Sequence, residues 1–266
     1  MKEDILLQLP AECPWRDTLH WYDTIDSTNT RAKELARNGA PHGTVLIAGH
    51  QTGGRGRKGR SFVSPAGMGV YLSVILRPQC LPTALMHLTC AVAVAMCDAV
   101  EQVAAFRPRI KWTNDLVFGK RKLGGILTEL APDPKTGILD YAVIGIGINC
   151  CQKQEDLPPE LQATAASLSM VAGRSIAPSQ LAAAMVQALI RTDRSLLSDK
   201  ASIMTQYRQD CMTLGQPIVV LRGAEKQYGT ALDLDPDGGL IVRFADGSVR
   251  TVTSGEVSVR GMYGYV

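Results

Sequence analysis

Between Gln51 and Pro65 the chain reads Gln-Thr-Gly-Gly-Arg-Gly-Arg-Lys-Gly-Arg-Ser-Phe-Val-Ser-Pro. Four cations (Arg55, Arg57, Lys58, Arg60) alternate with four glycines (Gly53, Gly54, Gly56, Gly59). Glycine admits φ > 0 and close backbone approach, so successive N–H groups can turn toward an anion. Arginine adds a planar fork that matches carboxylate or phosphate, and lysine a mobile point charge. A folded core has little use for such a stretch; phosphate chemistry has a clear one. Two further polar groups follow, Lys111-Trp-Thr-Asn-Asp115 and Arg121-Lys122-Leu-Gly-Gly-Ile-Leu127. Asn114 and Asp115 set an amide oxygen beside a carboxylate, hard ligands suited to Mg²⁺ with phosphate oxygens, although Asn-Asp is also a common turn. Lys111 and Lys122 sit beside apolar strand residues, where a lysine more often snorkels than reacts. The conjunction of the three groups is what argues for a site.

Two phosphate motifs are imitated and excluded. Gly54-x-Gly56-x-x-Gly59 has the dinucleotide spacing, and Gly54-xxxx-Gly59-Arg60-Ser61 is one residue from a P-loop. Both require a helix directly after the glycines. Ser61–Gly67 has no helical period and an early proline, Pro65.

The elements that must position these groups alternate along the chain. Residues 1–19 read as an irregular lead-in with no room for a helix-turn-helix domain. A strand over His20–Ile25 leads to Asp26-Ser27-Thr28-Asn29, which offers N-caps for a helix through Arg37, with Asn38-Gly39 as its stop. Thr44–His50 and Gly69–Arg77 are strands that enter and leave the cationic loop, a place suited to a lid. Pro82–Val103 is a long apolar helix, expected to be buried. Arg109–Asp115 is a strand with a polar end, Leu116–Gly119 a turn, and Lys122–Leu130 and Leu139–Asn149 are strands whose glycines leave room for a ligand. A short helix is expected near 162–171, a helix over Gln180–Leu197 capped by Ser179, and another near 200–212. From Gly215 the pattern changes to short strands, Ile218–Arg222, Gln227–Leu234, Leu240–Phe244, Ser248–Thr253 and Glu256–Arg260, with turn signals at Asp235–Gly239 and Asp246-Gly247.

The 266 residues suit one large domain with a small one, and 45% hydrophobic content supports a sizeable core. A net charge of +3 is nearly balanced, which favours a small anionic ligand over nucleic acid. Seven cysteines without a C-x-x-C pair point to a reducing, cytoplasmic setting. The four histidines lack ligand spacing, and no signal peptide or uninterrupted apolar window indicates a membrane.

The chain resembles biotin–protein ligases. The stretches that carry the likeness are Asp26–Asn29, Gln51–Arg60, Lys111–Asp115, Lys122–Glu129 and Gly145-Ile-Gly-Ile-Asn149, five motifs in family order across roughly residues 20–262. Thr113 stands where proline is common and Gly53 where alanine is common; the form of the family that lacks a DNA-binding domain fits best. The resemblance implies an α/β (α+β) fold related to class II synthetases: a mixed sheet with packed helices in a catalytic domain over 1–213, and a small Src-homology-3-like β-barrel over 214–266. It implies that biotin is activated by ATP to biotinyl-5′-AMP and passed to a lysine of a biotin carboxyl carrier domain. Ser27, Thr28, Asn29 and Gln51 are then expected at the biotin ring, and Arg55, Gly56 and Arg57 over biotin and adenylate. Gly125 would leave space, and Lys122 would bond the biotin carboxylate and the phosphate. Arg57, Arg60, Lys111, Asn114, Lys122 and Asn149 would serve ATP, and Asn114 and Asp115 would serve Mg²⁺. Lys122, Arg57 and Asp115 are the candidates for catalysis, Asp115 as a base. The partner would be the carrier of a biotin-dependent carboxylase, with no DNA and no membrane, and two ligase chains could pair as a homodimer. A lipoate or octanoate ligase of the same fold stays open, as does a nucleic-acid-binding module that uses the basic loop.

Overall fold

The computed structural model describes residues 1–253 and 258–261, the latter as backbone. The chain opens with α1 (Lys2–Gln8), a helix where an irregular lead-in is expected. Glu3 and Asp4 stand in its first turn, where the helix dipole favours acids, and Ile5 is buried. One buried residue gives too short a pattern to show a period.

β1 (Leu19–Tyr22) leads through α2 (Thr28–Arg37) to β2 (Thr44–Ala48), which pairs with β1 in parallel. The cationic loop follows, then β3 (Gly69–Leu76). A single-turn helix at Pro82–Leu85 precedes α3 (Leu88–Ala104). By length and composition Pro82–Ala104 could cross a membrane, but most of it is buried inside the fold. β4 (Arg109–Lys111) and β5 (Asp115–Phe118) then form a tight hairpin. The sequence suggests one strand to Asp115 and then a turn. Instead the turn is Trp112-Thr113-Asn114, and Leu116 and Val117, both buried, continue as strand. β6 (Arg121–Pro132) and β7 (Leu139–Asn149) complete a sheet in the order β1-β2-β3-β7-β6-β5-β4, antiparallel apart from β1–β2.

Both faces of this sheet are covered, and alternation along β2 shows it. Val45 and Ile47 face the main core and Leu46 faces the other side. The smaller layer is α2, whose Ala32 and Ala36 meet Leu46, Ile75, Tyr141 and Val143. The larger layer is α3 with α4 (Leu168–Ala172), α5 (Pro178–Ser195) and α6 (Lys200–Asp210). α4 is shorter than expected. α5 begins at Pro178, whose fixed φ suits a first helical position, so Ala177 and not Ser179 is its N-cap. α1 packs on α5.

The C-terminal part is one antiparallel sheet. Its strands are β8 (Pro217–Arg222), β9 (Glu225–Leu234), β10 (Leu240–Phe244), β11 (Val249–Val252) and β12 (Ser258–Gly261), in the order β11-β10-β9-β8-β12. Glu256 and Val257 of the expected last strand lie outside the described residues. Gly238 and Gly247 take φ of 86° and 83° in the expected turns. Asp235 Oδ1 accepts the N–H groups of Asp237 and Gly239. This β9–β10 turn reaches back to the first sheet: Trp112 Nε1 donates to Gly238 O at 2.9 Å, and Lys200 pairs with Asp237. Trp112 N also donates to Thr213 Oγ1, and Tyr207 Oη to Thr113 O.

Candidate active site

Val143, Gly145 and Gly147 lie on one side of β7, the side that carries α2. Where the side chains stop, space opens. A Cβ on Gly145 would lie 1.9 Å from Asn29 Oδ1, and one on Gly147 would lie 2.6 Å from the Phe62 ring. The two glycines thus seat an amide from α2 and an aromatic ring from the cationic loop. Between them lies a cavity of about 470 Å³, lined by α2, the loop, the β4–β5 hairpin, β6 and β7.

One end of the cavity is formed mainly by hydroxyl and amide groups. Ser27 caps α2, and its side chain accepts from Thr30 N. Thr28 donates from N (2.9 Å) and from Oγ1 (3.1 Å) to Gln51 Oε1, and Gln51 Nε2 donates to Ser64 Oγ. Both ends of the Gln51 amide are therefore fixed. Ser73, fully buried in β3, donates to Asn29 Oδ1 at 2.6 Å and lies 2.8 Å from Thr28 Oγ1. Asn29 Nδ2 points to Glu129 Oε2 (3.1 Å) and Leu127 O (3.4 Å). Lys33 and Arg55 also pair with Glu129, at 2.7 and 3.6 Å. Burial alone would push the Glu129 carboxyl up; bonds from Lys33 and Asn29, with the charges of Lys33 and Arg55, outweigh it and hold it below its usual range.

The other end is cationic. Arg57 NH1 donates to Asn114 Oδ1 (2.8 Å) and Thr113 Oγ1 (3.1 Å), tying the loop to the hairpin. Lys122 Nζ donates to Asp115 Oδ1 at 2.7 Å. Antiparallel pairing sets Lys111 opposite Asp115, the partner of Lys122. Gly125 lies against the Lys122–Asp115 pair, where a Cβ would approach Nζ to 3.2 Å. Six cations line the whole cavity (Arg55, Arg57, Lys58, Arg60, Lys111, Lys122) against one carboxylate, Asp115. Burial lowers the Arg57 pKa, and burial with the charges of Arg57 and Arg60 lowers that of Lys58. No helix follows the loop glycines; a single turn at Arg57–Gly59 runs on toward β3, with Lys58 at φ 56°.

The structure gathers Ser27, Thr28, Asn29, Gln51, Arg55, Gly56, Arg57, Arg60, Lys111, Asn114, Asp115, Lys122 and Gly125 around this one cavity. It does not bring Asn149 there. That side chain, at the end of β7, donates to Ala166 O and accepts from Gln152 Nε2. The segment it fastens is bonded to Lys122, whose N donates to Thr164 O and whose O accepts from Ala166 N. Ser73 and Glu129 escape the sequence reading, although each is a polar residue in an apolar strand. Such a residue must find a partner, and that is its signal.

Residues 21–149 match the biotin/lipoate A/B protein ligase family, and residues 213–260 the biotin protein ligase C-terminal domain. The chain is 32% identical to the bifunctional ligase/repressor BirA of Bacillus subtilis, over 91% of this chain and 74% of the relative. It is 32% identical to the biotin–[acetyl-CoA-carboxylase] ligase of Paracoccus denitrificans, over 82% of this chain and 91% of that one. Among solved structures, the biotin protein ligase of Aquifex aeolicus in complex with biotin and ATP superposes with a TM-score of 0.78 at 28% identity, covering 91% and 98% of the two chains. With its fold, its cavity and these likenesses together, the chain belongs to the biotin protein ligase family.

Proposed function

We propose that this cavity carries out the family's activity, the ATP-dependent joining of biotin to a protein lysine, with its hydroxyl and amide end on the biotin ring and its cationic end on the reacting groups. The observation that carries this is the lining itself: six cations against one carboxylate, beside a polar end whose amides are fixed. Biotin's carboxylate and the triphosphate repel each other, and preorganised positive charge offsets that repulsion. In the first step a biotin carboxylate oxygen attacks the α-phosphorus and pyrophosphate leaves. In the second, the lysine nitrogen of the carrier attacks the acyl carbon, AMP leaves, and the amine loses a proton.

Ser27, Thr28, Asn29 and Gln51 hold the ring by hydrogen bonds. Lys122, aimed by Asp115, bonds the carboxylate and the phosphate oxygen. Arg57, Arg60 and Lys111 take the phosphates, and Arg55 and Gly56 close over biotin. Asp115 serves to orient Lys122, whose ammonium its Oδ1 engages. Asn149 acts through the segment that clamps Lys122. Asn114 and Asp115 do not form a metal cage, and no cluster of three or more His, Cys, Asp or Glu side chains able to hold a metal occurs among the described residues. They fit a Mg²⁺ that arrives on the phosphates of ATP, where it would neutralise phosphate charge. The protein substrate is a biotin carboxyl carrier domain. The break between α6 and β8 supports a division into catalytic and C-terminal domains at residues 213/214.

Biotin-dependent ATP–pyrophosphate exchange tests this reading: exchange with biotin is expected, and exchange with lipoate alone would overturn it. The lipoate alternative is not favoured, since the Paracoccus denitrificans relative and the Aquifex aeolicus structure named above are biotin ligases. A nucleic-acid module would want its cations in an exposed stripe, whereas here they converge on a cavity.

A further inference from the structure

We infer that Glu129 is a positioning residue that fixes the ring end of the cavity and ties it to the cationic loop. The inference rests on the reading of this cavity as a biotin site. Glu129 does not line the cavity, yet two of its three partners, Asn29 and Arg55, do. Asn29 Oδ1 takes the Ser73 hydroxyl, so Nδ2 is left for Glu129 and Leu127 O. A flipped amide would set its oxygen against a carboxylate and a carbonyl, so the ring meets one fixed orientation of this group. On the other side the same carboxylate draws in Arg55, whose backbone is bridged to Ser61 within the loop. Lys33, one turn along α2 from Asn29, holds the carboxylate in place at 2.7 Å. One side chain of β6 thereby joins α2, the sheet and the lid.

Its action is confined to one end of the cavity. Glu129 stands seven residues along β6 from Lys122, roughly 20 Å in an extended strand. Loss of its charge therefore weakens the hold on biotin and leaves the phosphate end alone.

The test compares the KM for biotin, the KM for ATP and kcat for the full chain, its Glu129→Gln variant and its Glu129→Asp variant, with a carrier domain as acceptor. Glu129→Gln is expected to raise the biotin KM about tenfold, with the ATP KM unchanged and kcat little altered, and Glu129→Asp is expected to recover part of the loss. A wild-type biotin KM in Glu129→Gln, or an equal rise in the ATP KM, overturns the inference. If Glu129→Gln does not fold, Glu129→Asp carries the test, because its shorter reach must also raise the biotin KM; an unchanged value overturns the inference. The unmodified chain separates the two readings. Failure to transfer biotin removes the ground of both, while an active enzyme indifferent to Glu129 removes only this one.

Discussion

Lys122 owes its position to three restraints: the carboxylate of Asp115, the backbone bonds to the 164–166 segment, and the bare face of Gly125 beside it. A charge held that firmly needs no reorganisation when charge shifts in the transition state. Lys122→Ala is expected to slow biotin-dependent exchange by about 10²–10³, read as initial rates at saturating substrates. A rate within a few-fold of the parent would place the work elsewhere. The loop arginines were legible in the sequence as a ligand-facing group because charge spaced by glycine has few structural uses. Lys122, which alone reads as snorkelling, stood out only through its conjunction with the other polar groups. Ser73 and Glu129 were not, because their role depends on Asn29, which only the fold brings near. Asn149 lies outside the cavity lining, its side chain bonded to Ala166 and Gln152.

The loop from Gln51 to Pro65 is held at its ends and tied down in the middle. Gln51 Nε2 bonds Ser64, Phe62 N donates to Gly54 O, and Arg57 reaches the hairpin. A Cβ on Gly54 would lie 2.3 Å from Phe62 O, so that glycine is required for the base of the loop to close. Its tip carries exposed basic residues, each a trypsin site. Biotin with ATP is expected to slow tryptic cleavage between Arg55 and Arg60 several-fold, followed by mass spectrometry of the fragments, because bound anions engage those side chains and order the backbone. Equal cleavage with and without ligands would exclude an ordering lid. Most elements were legible from period and turn signals. β5 was not: Leu116–Gly119 reads as a turn, whereas the turn falls at Trp112-Thr113-Asn114 and Asp115–Phe118 is strand. α1 was not, because a seven-residue helix with one buried side chain has no visible period.

At the scale of the whole molecule, the hairpin that carries Asn114 and Asp115 is also the joint between the two sheets. The Trp112 indole, buried, donates to Gly238 O in the β9–β10 turn, and Thr213 takes the Trp112 N–H. The C-terminal sheet therefore props the cationic end from behind. Trp112→Phe keeps most of the packing and leaves Gly238 O without its donor, which costs about 1–3 kcal/mol. The expected result is a lower urea midpoint with one cooperative transition, monitored by far-ultraviolet circular dichroism. Two separate transitions in the parent chain would show that the sheets unfold independently. The family's two-part organisation was legible as a change from long elements to short strands near Gly215. The joint was not, since nothing in Trp112 or Gly238 alone announces a contact across 126 positions.

The crowd of like charges around the cavity has a consequence for how the enzyme behaves in solution. Guanidinium and ammonium groups facing one another strain the fold, and any multivalent anion that settles among them relieves that strain. On the proposed reading of the cavity, the pyrophosphate set free in the first step is such an anion, and it is expected to stabilise the protein and to compete for the chamber. Dilute buffer will exaggerate both effects and concentrated salt will mask them.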